Sequence, residues 1–128
     1  MPWLWNWGPA LLQMAAIFVL SSQPRLPSLP GGLTGYTGHA IGYFILAVAL
    51  LRGFARGRWQ GATPGAAAGA WLFAAAYGAS DEFHQSFVPG RDSSVADWLA
   101  DLAGAALGVT VVLLWRRRVT REVRSRAV

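Results

Sequence analysis

Apolar positions in this chain gather into long uncharged runs, with no strict alternation and no narrow amphipathic stripe. A helix needs about 20 mainly apolar residues to cross a hydrocarbon core. Three runs meet that length. Residues 2–24 contain LLQMAAIFVL, residues 26–51 contain HAIGYFILAVALL, and residues 59–80 contain GAAAGAWLFAAAYGA. Leu102 to Trp115 supplies only 14 uncharged residues. A crossing that ends at Trp115 must therefore begin near Ala96 and carry Asp97 and Asp101 within the helix. The pattern predicts an all-α fold: a four-helix transmembrane bundle in a single domain, residues 1–128, with spans near 3–21, 35–52, 64–82 and 95–115 and a basic tail at 116–128. The Ala- and Gly-rich third run is expected inside the bundle rather than against lipid.

Local signals agree with these divisions. Pro24, Pro27, Pro30, Gly31 and Gly32 cannot continue a helix and predict a bent, stiffened first connection. Pro64 suits the first turn of the third span, and Pro89-Gly90 stops the helix that carries DEFHQ. Ser94, with Asp97 three residues on, resembles a capping box opening the fourth span. In the tail, Glu122 lies four residues from both Arg118 and Arg126, spacing that supports a short basic helix on an anionic membrane surface.

Composition reinforces the membrane reading. The 128 residues are 54% hydrophobic and only 13% charged, outside the balance of soluble domains. Without cysteine, disulfides, thiolate catalysis and Cys-based metal sites are excluded, so any metal would need His or carboxylate ligands. The net charge of +5 comes from arginine alone. Arg52, Arg56 and Arg58 lie between spans two and three, and Arg116, Arg117, Arg118, Arg121, Arg124 and Arg126 follow span four. Only Arg25 and Arg91 fall in the other two loops. Charges placed beside membrane spans argue against nucleic acid as a partner. By the positive-inside rule they predict cytoplasmic termini, a multi-pass protein of the cytoplasmic (inner) membrane, and outward-facing loops around SSQP and DEFHQSFVPGRDSS. Trp3, Trp5, Trp7, Trp59 and Trp115 suit interfacial anchoring. No Lys or Arg precedes the first apolar run, which argues against a cleaved signal peptide.

The chemistry is concentrated at the outward end. Residues 80–104 hold Asp81, Glu82, Asp92, Asp97 and Asp101, five of the six acidic residues, together with His84. Asp97, Asp101, Gly104 and Gly108 recur at spacings of four, three and four, one stripe of a helix. Its glycines let a neighbouring backbone approach, and that approach turns both carboxylates into the bundle. Asp101 lies roughly 6 Å deeper than Asp97 along the helix axis and needs a partner or a wet cavity. His39 and Tyr43 share a face of span two. If span three continues as helix past Ser80, Tyr77, Asp81, His84 and Gln85 share a face while Glu82 points elsewhere.

Plainer roles exist for each member. Asp97 can serve the cap and helix dipole, and Tyr43 reads best as an interfacial aromatic. His39 can simply bond a neighbouring helix, and Arg91 can pair with Asp92 or Asp97. Asp101 resists such a reading, because intramembrane carboxylates are functional by default.

The run DEFHQSFVPGR, followed by Asp97 and a small-residue helix and preceded by SSQP and HAIGY, resembles the VanZ-like family of small integral membrane proteins. The resemblance assigns site roles to Ser22, Gln23, His39, Tyr43, Asp81, Glu82, His84, Gln85, Arg91 and Asp97, and covers nearly the whole chain. Two positions depart from the family pattern. Gly35 and Tyr36 stand where it has Asp-Lys, and Asp101 stands where it usually has Asn, so the pocket is more acidic than usual. The resemblance implies a link to low-level resistance to the lipoglycopeptide teicoplanin.

Three functions are compatible with these residues. The first is a binder, without cofactor or metal, whose outward pocket takes the head group of a lipid-linked cell-wall precursor or a lipoglycopeptide, its ligand set being the residues above with Asp101. Membrane lipids are expected partners, with acyl or prenyl chains on the Ala- and Gly-rich seams, and Arg91 can hold phosphate or carboxylate through parallel hydrogen bonds. The alternative is a metal- or carboxylate-dependent enzyme acting on an outer-leaflet head group, with Glu82, His84 and Asp101 as catalytic candidates. Against it, E-x-H is no recognised zinc spacing and HExxH is absent. The third is a partner for another membrane protein, docking through the stripe from Asp97 to Gly108.

Overall fold

The computed structural model describes residues 2–24 and 35–126. Arg25, Pro27, Pro30, Gly31 and Gly32 of the expected first connection, and the last two residues of the tail, lie outside the described residues. Four helices run α1 (Pro2–Ser21), α2 (Gly35–Phe54), α3 (Pro64–Gln85) and α4 (Val95–Arg126). A 3-10 turn, Trp59–Gly61, precedes α3. The all-α, four-helix architecture expected from the sequence is present, and α1, α2 and α4 are long and apolar enough to cross a membrane. The 22-residue α3 is long enough, but its alanines, glycines and acidic end leave it too weakly apolar by the same measure.

The helices start and stop where side chains satisfy their ends. Thr63 caps α3, its Oγ1 accepting from the Ala66 amide at 3.2 Å, with Pro64 in the first turn. Beyond α3 the chain turns at Gly90, whose φ of +81° favours glycine. At the other end of α4 the expected short tail helix is not separate. The helix continues for 32 residues through the arginines, about 48 Å at 1.5 Å per residue, well beyond a core of about 30 Å.

Packing centres on α2, which touches all three other helices, most extensively α4. Gly104 and Gly108 explain that closeness. A Cβ on Gly104 would overlap the Ala40 carbonyl, and one on Gly108 would lie 2.7 Å from the Phe44 oxygen. The small-residue stripe is therefore an internal seam filled by α2, and it is unavailable as a docking face for another protein. Buried Leu46, Ala47, Leu50 and Leu51 of α2 meet Ala67, Ala70 and Ala74 of α3 and Ala105, Val109 and Val112 of α4 in one core.

Side chains also bond across the seams to backbone carbonyls. Gln13 Nε2 donates to Gly42 O at 3.0 Å, Tyr77 Oη to Met14 O at 2.8 Å, Trp71 Nε1 to Leu102 O at 3.1 Å and Trp98 Nε1 to Ala75 O at 3.0 Å. Such bonds help hold helices together where apolar association has no aqueous driving force. Leu12, Phe18, Leu72, Phe73, Leu107 and Val111 point outward, as lipid-facing residues do. Because Leu72 and Phe73 are among them, α3 is not the enclosed helix its composition suggested; α2 holds that place.

Candidate functional site

The last turn of α1, the first turns of α2, the end of α3 and the start of α4 meet at one end of the bundle. Antiparallel neighbours bring them there, and the arginine-rich segments occupy the opposite end. At the centre, His39 Nδ1 donates to Asp101 Oδ1 at 2.8 Å. The His39 side chain is 13% exposed and that of Asp101 is 0%. Asp101 is drawn inside because Gly104, one turn further along the same stripe, rests on the α2 backbone.

Glu82 corrects the helical-face argument. It points toward this pair: its carboxylate is buried, and Oε1 lies 3.9 Å from His39 Nδ1. Its other oxygen, Oε2, accepts from the Ser94 amide at 2.9 Å. Ser94 itself caps α4, Oγ accepting from the amides of Ala96 at 3.1 Å and Asp97 at 3.4 Å. Half of the expected capping box thus forms as read, while the reciprocal bond comes from Glu82 on α3 instead of Asp97. Freed from that duty, Asp97 lines a cleft.

Gln85 joins the acids to the loop cation. It is 1% exposed, and Nε2 donates to Asp81 Oδ2 at 3.2 Å and Glu82 Oε1 at 3.3 Å. Its Oε1 accepts from Arg91 Nε at 3.1 Å and from Arg91 Nη2. The anticipated pairing of Arg91 with Asp92 or Asp97 is absent among the described residues, where the ion pairs within 4 Å are those of His39. His39, Gln85, Arg91, Asp92 and Asp97, with Pro24, Gly35 and Gly90, line an open cleft of about 440 Å³.

Ser22, Gln23 and His84, all expected members, sit apart from the His39 cluster. His84 faces α1: the Ser22 hydroxyl donates to Phe18 O at 2.7 Å, so it accepts from His84 Nε2 at 3.1 Å. The His84 ring also lies against Phe18, centroids 4.7 Å apart. Gln23 is exposed and donates to Val19 O at 3.3 Å. Tyr43, read as an interfacial aromatic, is instead 2% exposed in the core, its ring 6.3 Å from that of Tyr77. Among the described residues, Tyr43 Oη and Asp101 Oδ2 are the buried side-chain polar atoms without a hydrogen-bond partner.

Gly78 and Ser94 belong to the site although neither was singled out as a site residue. A Cβ on Gly78 would come to 3.0 Å from Asp101 Oδ2 and 3.3 Å from the Tyr43 ring, so glycine keeps that hollow open. Its i−3 position relative to Asp81 was the available sequence signal.

A bundle of apolar helices with a buried polar cluster at one end defines a small helical membrane protein. The VanZ/LLP1 family model matches residues 11–116, and the chain belongs to that family. No curated protein and no solved structure matches it.

Proposed function

We propose that the cleft binds the polar head group of a lipid-linked envelope molecule, either a cell-wall precursor or a lipoglycopeptide such as teicoplanin, from the outer face of the cytoplasmic membrane. Arg91 carries the reading. Its guanidinium borders the cleft, its bonds to Gln85 use one acceptor oxygen, and no carboxylate among the described residues pairs with it. Further N–H groups of its fork remain for a phosphate or carboxylate. His39, Gln85 and Asp97 border the same space and suit hydroxyl, amide or amine groups. Exposed Phe83 and Phe87 pack edge to face, centroids 5.1 Å apart, an apolar surface suited to a lipid tail. Outward placement follows from the arginines at the opposite end.

The experiment is binding of teicoplanin and of lipid-linked cell-wall precursor to purified full-length protein in nanodiscs. Saturable binding of either that weakens tenfold or more in Arg91→Ala supports the reading. Absence of saturable binding, or binding indifferent to Arg91→Ala, overturns it.

One observation favours catalysis as a second reading. An imidazole held by a buried carboxylate at 2.8 Å and bordering a cleft has the form of an oriented general base. Turnover of envelope lipids by the wild type, lost in His39→Gln, would select this reading; intact lipids after prolonged incubation would remove it.

A further inference from the structure

We propose that His39, Glu82 and Asp101 form a binding site for one divalent transition-metal ion, Zn²⁺ or Mn²⁺, beneath the cleft. Each offers a ligand atom, and the three atoms lie within 4.8 Å of one another. They come from α2, α3 and α4, which is why no local metal spacing announces them.

Two of the three separations come near those of a common ion. Ligands at about 2.0–2.2 Å from a metal lie about 3–3.5 Å apart at ordinary coordination angles. His39 Nδ1 and Asp101 Oδ1, at 2.8 Å, already approximate one such edge. His39 Nδ1 and Glu82 Oε1, at 3.9 Å, must close by a few tenths of an ångström, a movement a glutamate side chain supplies. On binding, the Nδ1 proton leaves and its lone pair takes the ion, as metal-binding imidazoles require.

Two independent features point to a cation at this place. Asp101 is fully buried, yet its Oδ2 has no partner, and the equally orphaned Tyr43 Oη lies in the same core region. Buried polar atoms are nearly always satisfied, so such orphans favour a bound ligand. Charge gives the same answer. Asp81, Glu82 and Asp101 are all buried, whereas His39 is their only ion-pair partner among the described residues and Arg91 reaches them only through the neutral Gln85. A divalent ion offsets two of those three negative charges. Imidazole with carboxylates suits zinc or manganese, and three protein ligands leave a coordination position open, as in zinc sites that accept water or substrate.

This inference stands whether or not a head group binds above the ion. The test is metal analysis of untagged, full-length protein purified in detergent, followed by chelation and titration with Zn²⁺ and with Mn²⁺ alone. The expected result is one ion per chain, removed by chelator and regained on titration, with a rise in melting temperature on metal addition. Asp101→Asn preserves volume and an acceptor for His39, so it keeps the fold. It and Glu82→Gln lose the ion and the thermal shift, while Glu122→Gln in the tail retains both. No saturable uptake by the stripped wild type overturns the proposal, as does uptake undiminished in both site variants that melt as folded proteins.

Discussion

Glu82 Oε2 accepts a hydrogen bond from the backbone amide of Ser94 at 2.9 Å, so a carboxylate at the end of α3 completes the cap that opens α4. The bond fixes the intervening loop at both ends and leaves Asp97 to border the cleft. Removing either half of the cap has a separable cost. Glu82→Ala orphans the Ser94 amide and is expected to destabilise by about 1–3 kcal/mol, whereas Ser94→Ala, which keeps that amide bonded, costs about 1 kcal/mol. Thermal unfolding in detergent, followed by circular dichroism, orders the two.

The α2–α4 seam gives a sharper expectation. Gly104→Ala places a methyl group into the Ala40 carbonyl and forces the helices apart, an overpacking cost of about 1–3 kcal/mol. Gly42→Ala, whose added Cβ meets nothing within 4 Å, should be neutral or stabilising by up to about 1 kcal/mol through helix propensity. A lower melting temperature for the second variant than for the first would contradict this seam.

Asp101 depends on His39. His39→Ala strands a fully buried carboxylate and is expected to cost about 3 kcal/mol. The double variant His39→Leu/Asp101→Leu, which removes both charges and fills the volume, should be more stable than His39→Ala alone. A double-mutant cycle on unfolding free energy measures the coupling.

Placement of the two ends in the membrane is checked by labelling. The chain has no cysteine, so Ser93→Cys and Ser125→Cys provide single reporters. In intact cells, a membrane-impermeant maleimide should modify the first and spare the second. The reverse pattern, or equal labelling, would place the cleft inside the cell or deny a fixed orientation.

The four helices were legible because charge-free length is a strong signal for a membrane span, and the short uncharged run before Trp115 correctly brought Asp97 and Asp101 into α4. The glycine stripe also revealed which way Asp101 faces. Glu82 was misplaced for a physical reason: helix periodicity fixes a Cβ direction, but a long side chain bends toward a distant backbone donor, here Ser94. The tryptophans divide in the same way. Trp5 is 73% exposed, as an anchor should be, whereas Trp7 lies against Gly53 and edge-on to Phe54 at 5.2 Å, a packing role that composition cannot distinguish. His84 and Asp101 carry similar intramembrane signals, yet α1 captures the former through Ser22.

The cap shared between α3 and α4 bears on how the chain is made. Translation produces Asp81 and Glu82 before Ser94 and Asp101 exist, so α3 is made with its acids awaiting partners from a later segment. Nascent chains truncated ahead of Ser94 therefore hold an unfinished acidic end, which closes only once the start of α4 has been made.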